Sequence, residues 1–175
     1  MYEFNILVST SWATHERASH EVIRILSALG DEDPSIRPTA ARGILGVKTS
    51  LDARQVIGEL RKLFEVNPAR FQYTLKWVPI DSWASSDINS IKARVSEMKS
   101  RIGKGETWRA TVEKRRYTRY HKSEIIKEIA ALIDEKVDLE NPSKILRIDV
   151  IAKYAGISFL TPKDIFSVAE PQFKQ

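Results

Sequence analysis

Lys114-Arg115-Arg116-Tyr117-Thr118-Arg119-Tyr120-His121-Lys122 packs cations and rings into nine consecutive residues. These are the side chains that hold a polyanion with unstacked bases. Between Lys92 and Lys122 eleven Lys and Arg stand against Glu97, Glu106 and Glu113, a net +8 in a chain whose total is +5. The remainder is therefore about −3, so the basicity is a patch and not a general solvation feature. Clustered cations gain from counterion release on a phosphate backbone, and Tyr117, Tyr120 and His121 can stack on unpaired bases. The same stretch also fits a solvated basic turn beside two half-buried tyrosines. Composition leaves these two readings level.

Other constellations carry less. His15-Glu16 and His20 resemble a zinc-protease helix, but an offset of five turns the second imidazole about 140° away from the first. Gly103-Lys104-Gly105 lacks the spacing and the Ser/Thr of a phosphate loop and reads as a turn, with Lys104 free to meet a phosphate. Gly43-Ile44-Leu45-Gly46 lies between strands, whereas the GXXG loop of RNA-binding KH folds joins helices. The absence of cysteine removes disulfides, thiolate metal sites and cysteine nucleophiles. No dinucleotide fingerprint, serine elbow or paired carboxylates stand out. Neither a catalytic residue, nor a metal, nor a cofactor is expected of this chain.

The elements that must position the patch follow from periodicity. Phe4 to Val8 reads as a strand, and Thr14 opens a helix with Ala18, Val22, Ile25, Leu26 and Leu29 on one face, stopped at Gly30. Ile36–Ala41 and Ile44–Thr49 flank a tight Arg42-Gly43 connection. Ser50 begins a helix burying Val56, Ile57, Leu60, Leu63 and Phe64, ended by Asn67-Pro68. Phe71, Tyr73, Leu75 and Trp77 alternate with polar residues as a half-buried strand. The order βαββαβ is that of a ferredoxin-like unit.

Pro79 to Ser86 reads as a boundary. A helix follows with Ile88, Ile91, Val95, Met98 and Ile102 on its seam, then a strand in which Trp108, Ala110 and Val112 oppose Arg109. A helix from Ser123 to Lys136 buries Ile125, Ile126, Ile129, Leu132 and Ile133. Val137-Asp138-Leu139-Glu140-Asn141-Pro142 turns the chain into strands Leu146–Ala152 and Gly156–Leu160, and Ile165–Val168 is too short to assign. The domains are placed at 1–80 and 81–170, with a tail at 171–175. With 175 residues and no run near the roughly 18 apolar residues of a membrane span, and with no leader-like start, a cytoplasmic protein is expected.

The strand ending Lys114-Arg115, the Ser123-Glu124-Ile125 helix start, Val137 to Pro142, Ile148-Asp149-Val150 and Gly156-Ile157-Ser158 together resemble a THUMP domain, the RNA-binding module of many tRNA-modifying enzymes. A ferredoxin-like unit before it is the usual THUMP arrangement, so the resemblance covers about Phe4 to Val168. It implies an α+β protein: a ferredoxin-like βαββαβ domain followed by an α/β THUMP domain. Most THUMP proteins also carry a catalytic domain, and this sequence stops after the module. The layout is similar to stand-alone adaptors for cytidine acetylation in tRNA. That likeness implies a non-catalytic protein that binds the acceptor stem and 3′ CCA end and presents the tRNA to a separate acetyltransferase.

The resemblance carries over to Lys114 and Arg115. Charge alone adds Arg116, Arg119 and Lys122, with Arg109 and Lys104 from the same face or entry turn; Tyr117, Tyr120 and His121 are the stacking candidates. Two other classes stay open: a subunit completing a composite tRNA-modifying active site, and a ferredoxin-like ligand-binding regulator. Oligomeric state is not legible from the sequence.

Overall fold

The structure is a computed structural model that describes residues 2–11 and 13–169. The tail expected at 171–175 lies outside the described residues. The chain divides into two compact units, one of residues 3–79 with 163–169 and one of residues 80–162 with Tyr2.

The first unit is built from strand β1 (Ile6–Thr10), helix α1 (His15–Ala28), strands β2 (Ser35–Pro38) and β3 (Ile44–Lys48), helix α2 (Ala53–Val66) and strand β4 (Thr74–Pro79). Its antiparallel sheet runs β2-β3-β1-β4, which is the ferredoxin-like order. Helix α1 buries Ala18, Val22, Ile25 and Leu26, and α2 buries Val56, Ile57 and Leu60, against Ile6, Val8, Leu45, Val47 and Trp77 of the sheet. The α2 helix begins after Asp52, whose backbone is still extended (ψ 121°) and whose carboxylate accepts the Gln55 N–H at 2.9 Å, so the expected start at Ser50 is two residues early. The tight turn expected at Arg42-Gly43 is a longer connection over 39–43, closed by Thr39 Oγ1 donating to Ile44 O at 2.9 Å.

Two expectations in this unit are corrected. In the β4 region the buried face was expected at Phe71, Tyr73, Leu75 and Trp77, yet Leu75 is 39% exposed and Thr74 is fully buried. A bulge explains it, since Ser9 pairs with Lys76 but Thr10 pairs with Thr74, leaving Leu75 unopposed and reversing the alternation. Also, Phe166–Ser167 forms strand β9, antiparallel to β4, and so joins the first unit, whereas the sequence places the second domain at 81–170. Phe166 is fully buried with ring centroids 4.9 Å from Phe71 and 5.7 Å from Phe64, and Arg61 donates to Ile165 O at 2.8 Å. Aromatic burial thus returns the chain to the first core.

The second unit contains β5 (Ser82–Ser85), α3 (Ile88–Met98), β6 (Trp108–Arg115), α4 (Lys122–Ala130), β7 (Lys144–Ile151) and β8 (Tyr154–Leu160). Its sheet order is β5-β8-β7-β6, with β6 and β7 parallel across the α4 crossover and the other pairs antiparallel. Pro79 to Ser86, expected as a boundary, also supplies the edge strand β5. Ile91, Val95 and Met98 of α3 and Ile125 and Ile129 of α4 pack against one sheet face made by Trp108, Val112, Leu146, Ile148, Val150, Ala155, Ile157 and Phe159.

The helix expected to reach Lys136 ends at Ala130. Trp108 is the reason: its indole N–H donates to Glu135 O at 2.9 Å and its backbone N–H to Lys136 O at 3.1 Å, while Asp138 N–H donates back to Trp108 O at 2.9 Å. Residues 136–138 are drawn alongside β6, and tertiary pairing overrides helix propensity.

Candidate nucleic-acid interface

Strand β6 delivers the basic segment and fixes which way each cation points. Its even positions Trp108, Ala110 and Val112 belong to the helix-covered core, so Lys114 continues that side and Arg115 falls on the opposite one. Neighbours in sequence are thus separated by the sheet. The run of charge is two surfaces and a loop.

On the helix side, Lys114 Nζ donates to Tyr120 O at 2.6 Å and stands 5.9 Å from the centroid of the Tyr117 ring. Tyr117 donates its hydroxyl to Ser86 O at 2.8 Å, and burial pushes the phenol above its ordinary pKa. Both tyrosines are half-buried and pack on the core, so the half-buried reading describes both. Tyr120 keeps one ring face in use beneath Arg119, whose guanidinium carbon lies 5.4 Å from the centroid. Between these anchors the chain turns at Arg116, an exposed non-glycine residue with φ +57°. His121 is exposed just before α4, where its N–H donates to Glu124 Oε2 at 3.3 Å, and Lys122 Nζ pairs with Glu113 at 3.3 Å.

On the opposite side, Arg115 Nη1 lies 3.6 Å from Asp149 Oδ1, with the Arg115 side chain 33% exposed. Asp149 also takes two hydrogen bonds from Arg147, from Nε at 2.9 Å and Nη2 at 3.1 Å. Arg147 and Asp149 were missed as part of this site. The signal was present: in a strand, residues two apart share a face, so Arg147 and Asp149 inside an otherwise apolar run are a buried ion pair.

Arg109 donates to Leu139 O at 3.0 Å, so its first role is to hold the segment 137–141 beside the strand. Lys104 is exposed in the turn between Gly103 and Gly105. That turn is closed by Glu106, which accepts Gly103 N–H at 2.8 Å and pairs with Lys144 at 3.1 Å; the Lys144 hydrogen bond, then the Gly103 N–H, holds the Glu106 carboxyl below its usual range. The candidates divide accordingly. Lys104, Arg116, Arg119, His121 and Lys122 are exposed, Arg115 is anchored but open on one side, and Lys114, Arg109 and Tyr117 shape the backbone that carries them.

Among the described residues, no three His, Asp or Glu side chains gather as a metal site, and no helix is long and apolar enough to cross a membrane.

Residues 85–160 match the THUMP domain, so the chain contains one. No curated protein matches the sequence. Among solved structures the chain is similar to PH1313 from Pyrococcus horikoshii Ot3, with TM-score 0.65 and 16% identity over 90% of this chain and 54% of that one. It is similar to TrmN from Thermus thermophilus, with TM-score 0.58 and 11% identity over 88% of this chain and 44% of that one. It is also similar to a 4-thiouridine synthetase solved with RNA and ATP, with TM-score 0.57 and 17% identity over 94% of this chain and 42% of that one. The chain spans about half the length of these structures or somewhat less.

Proposed function

We propose that this chain binds tRNA through its THUMP domain as part of a tRNA-modification system. The observation that carries the reading is the position of the basic loop: Arg116, Arg119 and Lys122 are exposed inside the matched span, after a strand that stays in register with β7 from Trp108 to Arg115. A rigid strand end with a latched loop presents cations at fixed spacing, which suits a phosphate backbone. The likeness in fold to a synthetase seen with RNA supports the same assignment. A-form helices hide base edges in a narrow major groove, so a protein serving several tRNAs reads backbone, shape and a shared single-stranded end. The acceptor stem and 3′ CCA end provide those features, and the Arg119–Tyr120 stack lies beside the exposed cations.

The finer reading is an adaptor. The chain performs no chemistry and presents tRNA to a separate acetyltransferase that forms 4-acetylcytidine, as its resemblance to stand-alone THUMP adaptors implies. The test is to incubate tRNA and acetyl-CoA with ATP and purified chain, with and without a cytidine acetyltransferase, and to digest the RNA for mass spectrometry. An adaptor gives no 4-acetylcytidine alone and raises its yield with the enzyme. Modification of tRNA by the chain alone would refute the adaptor role.

A further inference from the structure

We propose that Asp149, itself set by Arg147, is a positioning residue that aims Arg115 at an RNA phosphate; this rests on the reading that the second unit holds RNA. Strand parity puts the three side chains together: Arg115 ends β6, Arg147 and Asp149 lie two apart on β7, and Glu113 is the register partner of Asp149, so Arg115 is its diagonal neighbour on the same face. Asp149 and Arg147 side chains are only 2% and 7% exposed, and the guanidinium of Arg147 grips the carboxylate through two parallel hydrogen bonds. Arg115 approaches the remaining side of Oδ1 at 3.6 Å.

The charge count gives this arrangement its meaning. A lone carboxylate beside a phosphate contact repels the ligand. Here Arg147 neutralises Asp149, and Glu113 on the same face is paired with Lys122 at 3.3 Å, so the group keeps one surplus positive charge, and that charge sits on Arg115 at the surface. What Asp149 adds is orientation. A guanidinium has five donors in a planar fork, so one edge can rest on Asp149 while the other stays available for a phosphate. An arginine already ordered loses less rotamer freedom when the phosphate arrives.

The sign of one substitution separates these views. Asp149→Asn raises the net charge by one, so field effects alone should tighten tRNA binding; positioning requires that it weaken binding. The experiment measures tRNA affinity against salt for the full chain, Asp149→Asn, Arg115→Ala and the double variant. Expected is a several-fold loss for each single variant, no further loss in the double, and a log–log salt slope shallower by about 0.7–0.9 in each, the value of one phosphate contact. Since Asp149→Asn leaves Arg147 buried without its partner, Arg147→Met with Asp149→Leu is tested beside it. That pair keeps the net charge and an apolar fill, a kind of replacement that proteins often tolerate. With a wild-type melting temperature it should show the same loss of affinity. Binding by Asp149→Asn, or by the Met/Leu variant, equal to or tighter than wild type while Arg115→Ala is weak would overturn the positioning role alone. Wild-type binding by Arg115→Ala would overturn the contact itself, and failure of the unaltered chain to bind tRNA would overturn the RNA reading with it.

Discussion

Lys114 and Tyr120 are joined across the basic loop, the ammonium of the first donating to the backbone carbonyl of the second at 2.6 Å. The bond closes residues 115–119 into a loop whose ends are the end of β6 and the approach to α4. A cation expected to meet phosphate is therefore the latch that orders its neighbours.

Lys114→Met removes the latch and keeps the aliphatic stem. A half-buried charge-assisted bond of this kind contributes about 1–2 kcal/mol, so the melting temperature should drop by a few degrees. Amide exchange by mass spectrometry should accelerate over residues 116–121 more than in β7. Unchanged exchange in that loop would show that Lys114 does not order it.

Arg116 separates backbone from charge. Its φ of +57° costs a non-glycine residue about 1 kcal/mol, which glycine avoids. Arg116→Gly and Arg116→Ala should lose the same tRNA affinity, with a salt slope shallower by about 0.7–0.9. The glycine variant should be the more stable of the two by about 1 kcal/mol in urea unfolding. Equal stability would place the residue outside the left-handed region.

Glu21 is 1% exposed, and its carboxylate accepts the N–H groups of Gln72 at 2.7 Å, Tyr73 at 3.2 Å and Thr74 at 2.8 Å. It satisfies the backbone just where β4 begins beside its bulge. Glu21→Ala leaves three donors unpaired and should cost about 3 kcal/mol or more in denaturant unfolding. A loss under about 1 kcal/mol would mean that water replaces the carboxylate.

Asp31 links stability to acid. Burial opposes its ionisation, but hydrogen bonds from Thr49 Oγ1 at 2.6 Å and from the N–H groups of Ser50 and Asp33 outweigh it and lower its pKa. The folded state thus favours the carboxylate: its contribution is complete above the ordinary aspartate range and is lost as pH falls through the lowered value. Asp31→Asn should reduce stability at neutral pH and flatten the acid limb of a melting-temperature profile. A variant whose profile parallels wild type would contradict the linkage.

The sequence carried the order of elements and most core faces, because Val22, Ile25, Leu26 and Val56, Ile57, Leu60 obey the helical period regardless of context. Leu75 did not obey its period because a bulge is set by pairing with β1, which lies more than sixty residues away. The α4 helix ended early because Trp108 claims carbonyls that a helix would use. Phe166 was unreadable for the same reason: two paired residues form a strand only if a distant sheet edge receives them. In the interface, charge type was legible and direction was not. Lys114 and Arg115 look equivalent in a list of cations, yet strand parity sends one to Tyr120 and the other to Asp149.

The most direct measurement is the affinity of the full chain for whole tRNA and for the same tRNA lacking its 3′ CCA, across a salt series, with Arg116→Glu and Arg119→Glu alongside. Neutralisation of about five phosphates gives a slope near −4 to −5 on duplex-like RNA. The expected result is salt-sensitive binding that falls sharply without CCA and weakens in both variants while the melting temperature holds. Salt-independent binding, or charge-reversed variants that bind both RNAs as wild type does, would contradict the assignment of this loop to tRNA.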